Sequence, residues 1–146
     1  MDRVERERRY LQRAVAIAAL VPISAGIFGV VFGAALTGDQ GLSTSGDSHY
    51  RYLSGLLLAI GLLFWSAIPG IEEKTGRFQL LTMIVVLGGL ARLVGLMITG
   101  LPSLTMLAAL AMELVVTPLL CLWQIRVAHL YAEPRFRAAP PLEPRP

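Results

Sequence analysis

Four apolar blocks, each roughly 20 residues long, constrain this chain more than any other feature. They run from Ala14 to Leu36, Tyr52 to Pro69, Leu80 to Thr99 and Leu104 to Trp123. A helix rises about 1.5 Å per residue, so each block can cross a hydrocarbon core about 30 Å thick. Apolar residues are continuous within the blocks instead of alternating with polar ones, which calls for lipid as solvent. The mean hydropathy of +0.63 agrees. At 146 residues there is room for one domain. The expected architecture is an all-α membrane protein of four transmembrane helices in a compact bundle. It occupies residues 14–131, between a charged segment (1–13) and a disordered Pro/Arg-rich tail (132–146).

The net charge of +3 would suit a nucleic-acid partner, but the positions of the charges argue against one. Arg3, Arg6, Arg8, Arg9 and Arg13 precede the first block, Lys74 and Arg77 sit between the second and third, and Arg126, Arg135, Arg137 and Arg145 follow the last. All of these fall on one side of a four-helix topology, and the opposite side holds only Arg51. The positive-inside rule then places both termini in the cytoplasm. Arginine outnumbers lysine twelve to one, which points to a GC-rich bacterial genome and so to a bacterial cytoplasmic membrane. The first block follows a basic stretch, and Gly33-Ala34-Ala35 resembles a signal cleavage site, but the block exceeds a usual signal-peptide core and reads as an uncleaved helix. Residues 1–13, with Asp2–Arg6 and Glu5–Arg9 at helical spacing, read as a short solvated helix. A lipid-headgroup-binding arm is the alternative.

Two charges lie inside the blocks, Arg92 and Glu113. An ionised side chain near the bilayer centre is expensive unless paired or hydrated. The third and fourth blocks are joined by the turn Gly100-Leu101-Pro102-Ser103. Counted from that turn, Arg92 and Glu113 lie at depths of about 14 and about 17 Å. The near-equal depths predict an Arg92–Glu113 ion pair across the hairpin. Thr105, Ala109, Glu113 and Thr117 recur every four residues on the fourth helix, and Gly88, Arg92, Gly95 and Thr99 share a stripe on the third. Arg92, Glu113 and Thr117 are therefore the expected polar core or ligand-binding group. Such a pair can also serve register and helix pairing alone, and both readings stay open. Pro118 removes a backbone donor and predicts a kink or local water nearby.

Small residues mark expected packing positions: Gly29 and Gly33 on the first helix, Gly55 on the second, Gly88 and Gly95 on the third. Pro22 predicts a kink in the first helix. His49, Tyr50 and Arg51, followed by Tyr52, form a second cluster at the outer end of the second helix. It reads either as an interfacial anchor with Arg51 snorkelling outward, or as a polar mouth over a cavity. Cys121 is the sole cysteine, and His49 and His129 are expected on opposite faces, so neither a disulfide nor a metal site is expected. No nucleotide or phosphate motif is present, and no cofactor or catalytic residue is expected.

The run His49-Tyr50-Arg51-Tyr52-Leu53-Ser54-Gly55, then Gly61-Leu62, Leu87-Gly88-Gly89-Leu90-Ala91-Arg92-Leu93, Gly100-Leu101-Pro102 and Glu113-Leu114 resembles the bacterial domain of unknown function 4345. The resemblance covers roughly residues 14–128 and implies a four-helix membrane protein. It implies no activity.

The reading that follows is a membrane protein, with the balance against an enzyme. It would hold a small hydrophobic or amphipathic ligand, such as a lipid or quinone, or a partner subunit, around the Arg92–Glu113 pair. Alternatives are a proton-coupled transporter or membrane enzyme using Glu113, and a structural subunit of a larger complex. Expected partners are the bilayer, a hydrophobic ligand, and a membrane protein or a second copy of the chain.

Overall fold

The computed structural model describes residues 3–37 and 43–137, with the side chains of 133–137 excepted. The Asp2–Arg6 pair, the centre of the first polar loop and the expected disorder of the tail beyond Arg137 lie outside the described residues. The described chain is all-helical. Helix α1 spans Arg3–Phe32 and leads into a 3-10 turn, Gly33–Thr37; α2 spans Thr44–Ala67 and is followed by a 3-10 turn, Ile71–Glu73. Helix α3 spans Thr75–Thr99. The fourth rod consists of α4 (Leu104–Ala111), a π-helical segment (Met112–Val116) and α5 (Thr117–Arg137). Four helices are thus long and apolar enough to cross a membrane.

Helix ends extend beyond the apolar blocks. Helix α1 starts at Arg3, so the charged segment and the first span form one continuous helix through Pro22. Helix α2 starts at Thr44 because Ser43 caps it, its hydroxyl accepting from the Gly46 amide at 3.2 Å. Helix α5 continues to Arg137, so residues 132–137 are helical.

The chain divides into two compact units, one of residues 12–69, the other of residues 1–11 with 70–146. In the 12–69 unit, α1 and α2 run antiparallel with small residues between them. A methyl group added at Gly61 would lie 2.7 Å from Ile23 Cγ1, one at Gly26 2.7 Å from the Leu58 amide nitrogen, and one at Gly29 2.7 Å from Ser54 Cβ. At the far end Gln12 donates to the Ile68 carbonyl at 2.9 Å. Small residues allow the backbones to approach, which is what drives helix association where lipid supplies no hydrophobic force.

In the other unit α3 packs along α5 and the π segment and only sparsely along α4. Its core is not at mid-span but near the chain ends, where Leu11, Ile71, Phe78, Gln124 and Val127 are fully buried. Large apolar residues are instead exposed around the α3–α4 turn, with Met97, Ile98, Leu101 and Leu104 each at least 75% exposed. Such a surface suits hydrocarbon and not water.

Candidate functional site

Arg92 and Glu113 are brought together. Arg92 projects from α3, and its Nε and Nη2 donate to Glu113 Oε2 and Oε1 at 3.0 and 3.1 Å. This fork-to-carboxylate geometry uses one edge of the guanidinium and both oxygens of the acid. The other edge is poorly supplied: Nη1 points to Met106 Sδ at 3.0 Å, a weak thioether acceptor. The pair is not sealed, since the Arg92 side chain is 35% exposed and that of Glu113 18%.

The backbone explains how Glu113 reaches this place. Pro118 has no amide to donate to Leu114, and its ring would press on that carbonyl in a regular helix. The preceding turn is widened into the π segment that carries Glu113. Thr117 secures the widened turn, its amide and hydroxyl both donating to the Met112 carbonyl, the latter at 2.8 Å. Thr117 therefore holds the backbone beneath Glu113 and makes no bond to the ion pair. The irregularity expected near Pro118 is a widened turn N-terminal to it.

Gly89, one turn before Arg92, lets this segment come close. A methyl group there would fall 2.7 Å from Leu114 Cδ2 and 2.9 Å from Glu113 Cβ. Gly88 and Gly95, expected as packing positions, have nothing within 4 Å of a methyl group, and Gly55 only Val30 at 4.0 Å. The α3 packing line is thus rotated by one residue from the expected stripe. Long arginine and glutamate side chains reach round the helix, so Arg92 can pair without marking the line of closest backbone approach. Gly29 and Gly33 do meet neighbours across α1 and α2.

The second cluster is not one site. Arg51 bonds Asp47 at 2.7 Å through Nε, and its Nη1 donates to the Val30 and Val31 carbonyls at 2.6 and 3.1 Å. Asp47 in turn accepts from the Ala34 amide at 2.9 Å. Arg51 and Asp47 therefore cap the end of α1, satisfying carbonyls that a terminating helix leaves open. Gly33 lies between them with φ +63, where a side chain would strain the backbone and strike both partners. Arg51 thus directs its Nε and Nη1 donors back into the chain, onto Asp47 and the end of α1. His49 stacks near Tyr52, ring centroids 6.4 Å apart, beside a shallow depression lined by Thr44, Ser45 and Ser48. Tyr50 accepts at its carbonyl from the Ser54 hydroxyl at 2.8 Å.

A third group was not visible in the sequence. Glu5 accepts from Arg8, Arg9 and the Tyr131 hydroxyl, while Arg8 also bonds Glu72 at 3.0 Å and lies over the Tyr131 ring. Trp123 donates to Glu7 at 3.2 Å, and buried Gln124 donates to the Ile71 carbonyl and the Thr75 hydroxyl. Glu5 precedes the apolar span, and its carboxyl is pulled down to about 2, first by the Tyr131 hydroxyl and then by Arg9 and Arg8. The Glu5–Arg8 and Glu5–Arg9 members have local helical spacings; Tyr131 and Glu72 are remote in sequence. Among the described residues no cluster of histidine, cysteine or acidic groups could hold a metal ion.

The family described as "Domain of unknown function (DUF4345)" matches residues 10–124. No curated protein and no solved structure matches the chain.

Proposed function

The chain belongs to the DUF4345 family, and from that premise we propose that it is a non-enzymatic membrane protein whose Arg92–Glu113 pair holds the polar head of a small amphipathic ligand. The open edge of Arg92 carries this reading. A guanidinium in a hydrocarbon layer needs acceptors for all its N–H groups, and here Nη1 has only a thioether. A phosphoester or carbonyl oxygen from a lipid or quinone would complete it. Glu113 neutralises the other edge, so the site takes an acceptor without requiring a full negative charge. The ligand's tail would lie along the exposed residues around Leu101 and Leu104. The proposed setting is a bacterial cytoplasmic membrane with both termini in the cytoplasm, supported by the one-sided distribution of basic residues.

The test is mild purification followed by native mass spectrometry. The wild-type protein should carry a defined adduct, and Arg92→Leu should lose it while still inserting and eluting as a monodisperse species. Equal adduct content in the two proteins would overturn the reading. A constant protein companion that depends on Arg92 would replace the small ligand by a partner subunit.

A second reading rests on the π segment. Widened turns of this kind often sit at functional sites, and this one presents Glu113. Glu113 would then carry a proton in a coupled transporter or membrane enzyme. Glu113→Gln should abolish a pH-dependent flux while sparing assembly, and an unchanged flux would exclude it.

A further inference from the structure

The arginines of helix α1 differ in what they bond. Arg8 and Arg9 bond Glu5, and Arg8 also reaches Glu72. Arg3, Arg6 and Arg13 are exposed and have no ion-pair partner among the described residues. At 3.6 residues per turn, positions 3, 6, 10 and 13 fall within about 80° of arc. Tyr10 belongs to this stripe and is 54% exposed. The same line continues along the helix as Ile17 and Leu20, 69% and 51% exposed. Leu11, Val15 and Ala19 are buried on the opposite side.

We propose that the Arg3–Arg6–Tyr10 face of α1 is a binding surface for anionic phospholipid headgroups. Two arguments select that occupant. The face is continuous with an apolar stripe that must lie against acyl chains, so its cations sit at headgroup depth of the leaflet where the N-terminus emerges. Its charge also complements a phosphodiester, and unpaired arginine offers donors in a fixed fork that matches phosphate oxygens. Tyr10 has the apolar ring and polar tip that suit an interface. Arg8 has already given both its Nη groups to carboxylates. The surface therefore discriminates by which arginines are free, not by how many the segment holds.

The distinction gives the test. Full-length protein in a neutral detergent is titrated with phosphatidylglycerol, and separately with phosphatidylcholine, and bound lipid is counted by native mass spectrometry. Two variants lose the same formal charge: Arg3→Gln with Arg6→Gln, and Arg8→Gln with Arg126→Gln. The first should weaken phosphatidylglycerol binding by about thirtyfold at most, the order expected for two surface cations, and leave phosphatidylcholine unchanged. The second should stay within about twofold of wild type. Equal losses in the two variants would mean that bulk charge alone acts, and would overturn the proposal. So would a wild-type protein that binds both lipids alike. Both variants retain Arg92, so any lipid held at the ion pair contributes equally to each titration.

Discussion

Arg92 meets Glu113 edge-on, two guanidinium nitrogens against two carboxylate oxygens at 3.0 and 3.1 Å. Removing either partner leaves the other charged in a poorly solvating layer, whereas removing both leaves an apolar contact. Arg92→Met and Glu113→Leu should each lower thermal stability in detergent, by up to about 3 kcal/mol for a pair of this kind. Partial exposure of the pair reduces that figure. The double variant should be more stable than either single variant. Additive losses in the double variant would show that the two side chains are not energetically coupled.

Two adjacent glycines on α3 should respond oppositely to the same change. Gly88→Ala adds a methyl group with nothing within 4 Å, so it should gain the helix propensity of alanine, about 0.5–1 kcal/mol. Gly89→Ala places a methyl group 2.9 Å from Glu113 Cβ, an atom fixed to the π segment. It should lose about 1–3 kcal/mol by forcing α3 away from Glu113. Melting temperatures of the two variants measured side by side check this. Equal shifts in both would contradict the rotated packing line.

These glycines show what the sequence carried and what it hid. Hydropathy made the four helices legible because lipid imposes length and apolar content directly. Equal depth from the Gly100–Ser103 turn brought Arg92 and Glu113 into consideration, since depth depends only on residue count and helix rise. The face of closest approach depends on rotation about the helix axis, and a one-residue error selects Gly88 in place of Gly89. The widened turn at Met112–Val116 also changes the phase of everything beyond it, and Pro118 alone did not reveal its extent. The bonding of Arg51 was hidden for another reason. Its capping of α1 requires Gly33 at positive φ and the Val30 and Val31 carbonyls, all from a different helix.

The Glu5 cluster predicts an acid-sensitive stability. A carboxyl held at about 2 against an ordinary value of 4.5 favours the folded state at all pH values above the ordinary one. That contribution disappears as pH falls from about 4.5 through about 2, where the folded-state carboxyl becomes protonated. The melting temperature of wild-type protein should therefore decline across that window more than that of Glu5→Gln. Above pH 5 the variant should be the less stable of the two. Parallel profiles would show that Tyr131, Arg8 and Arg9 do not act through the Glu5 charge.

The cap on α1 can be dissected one atom group at a time. Arg51→Ala leaves the Val30 and Val31 carbonyls without their donor and Asp47 without its cation. It should destabilise the protein by about 0.5–1.5 kcal/mol, the net worth of hydrogen bonds whose partners stay partly exposed. Arg51→Lys keeps the charge but has a single nitrogen where the wild type uses two, one on Asp47 and one on the carbonyls, so it should recover less than half of the loss. Gly33→Ala should be at least as damaging as Arg51→Ala, since it adds left-handed strain of about 1–2 kcal/mol to a collision with Asp47 and Arg51. Melting temperatures in one detergent rank the three variants. If Gly33→Ala proved neutral, the chain would leave α1 by a different turn, and Arg51 would be free to act as the interfacial anchor that its position suggested.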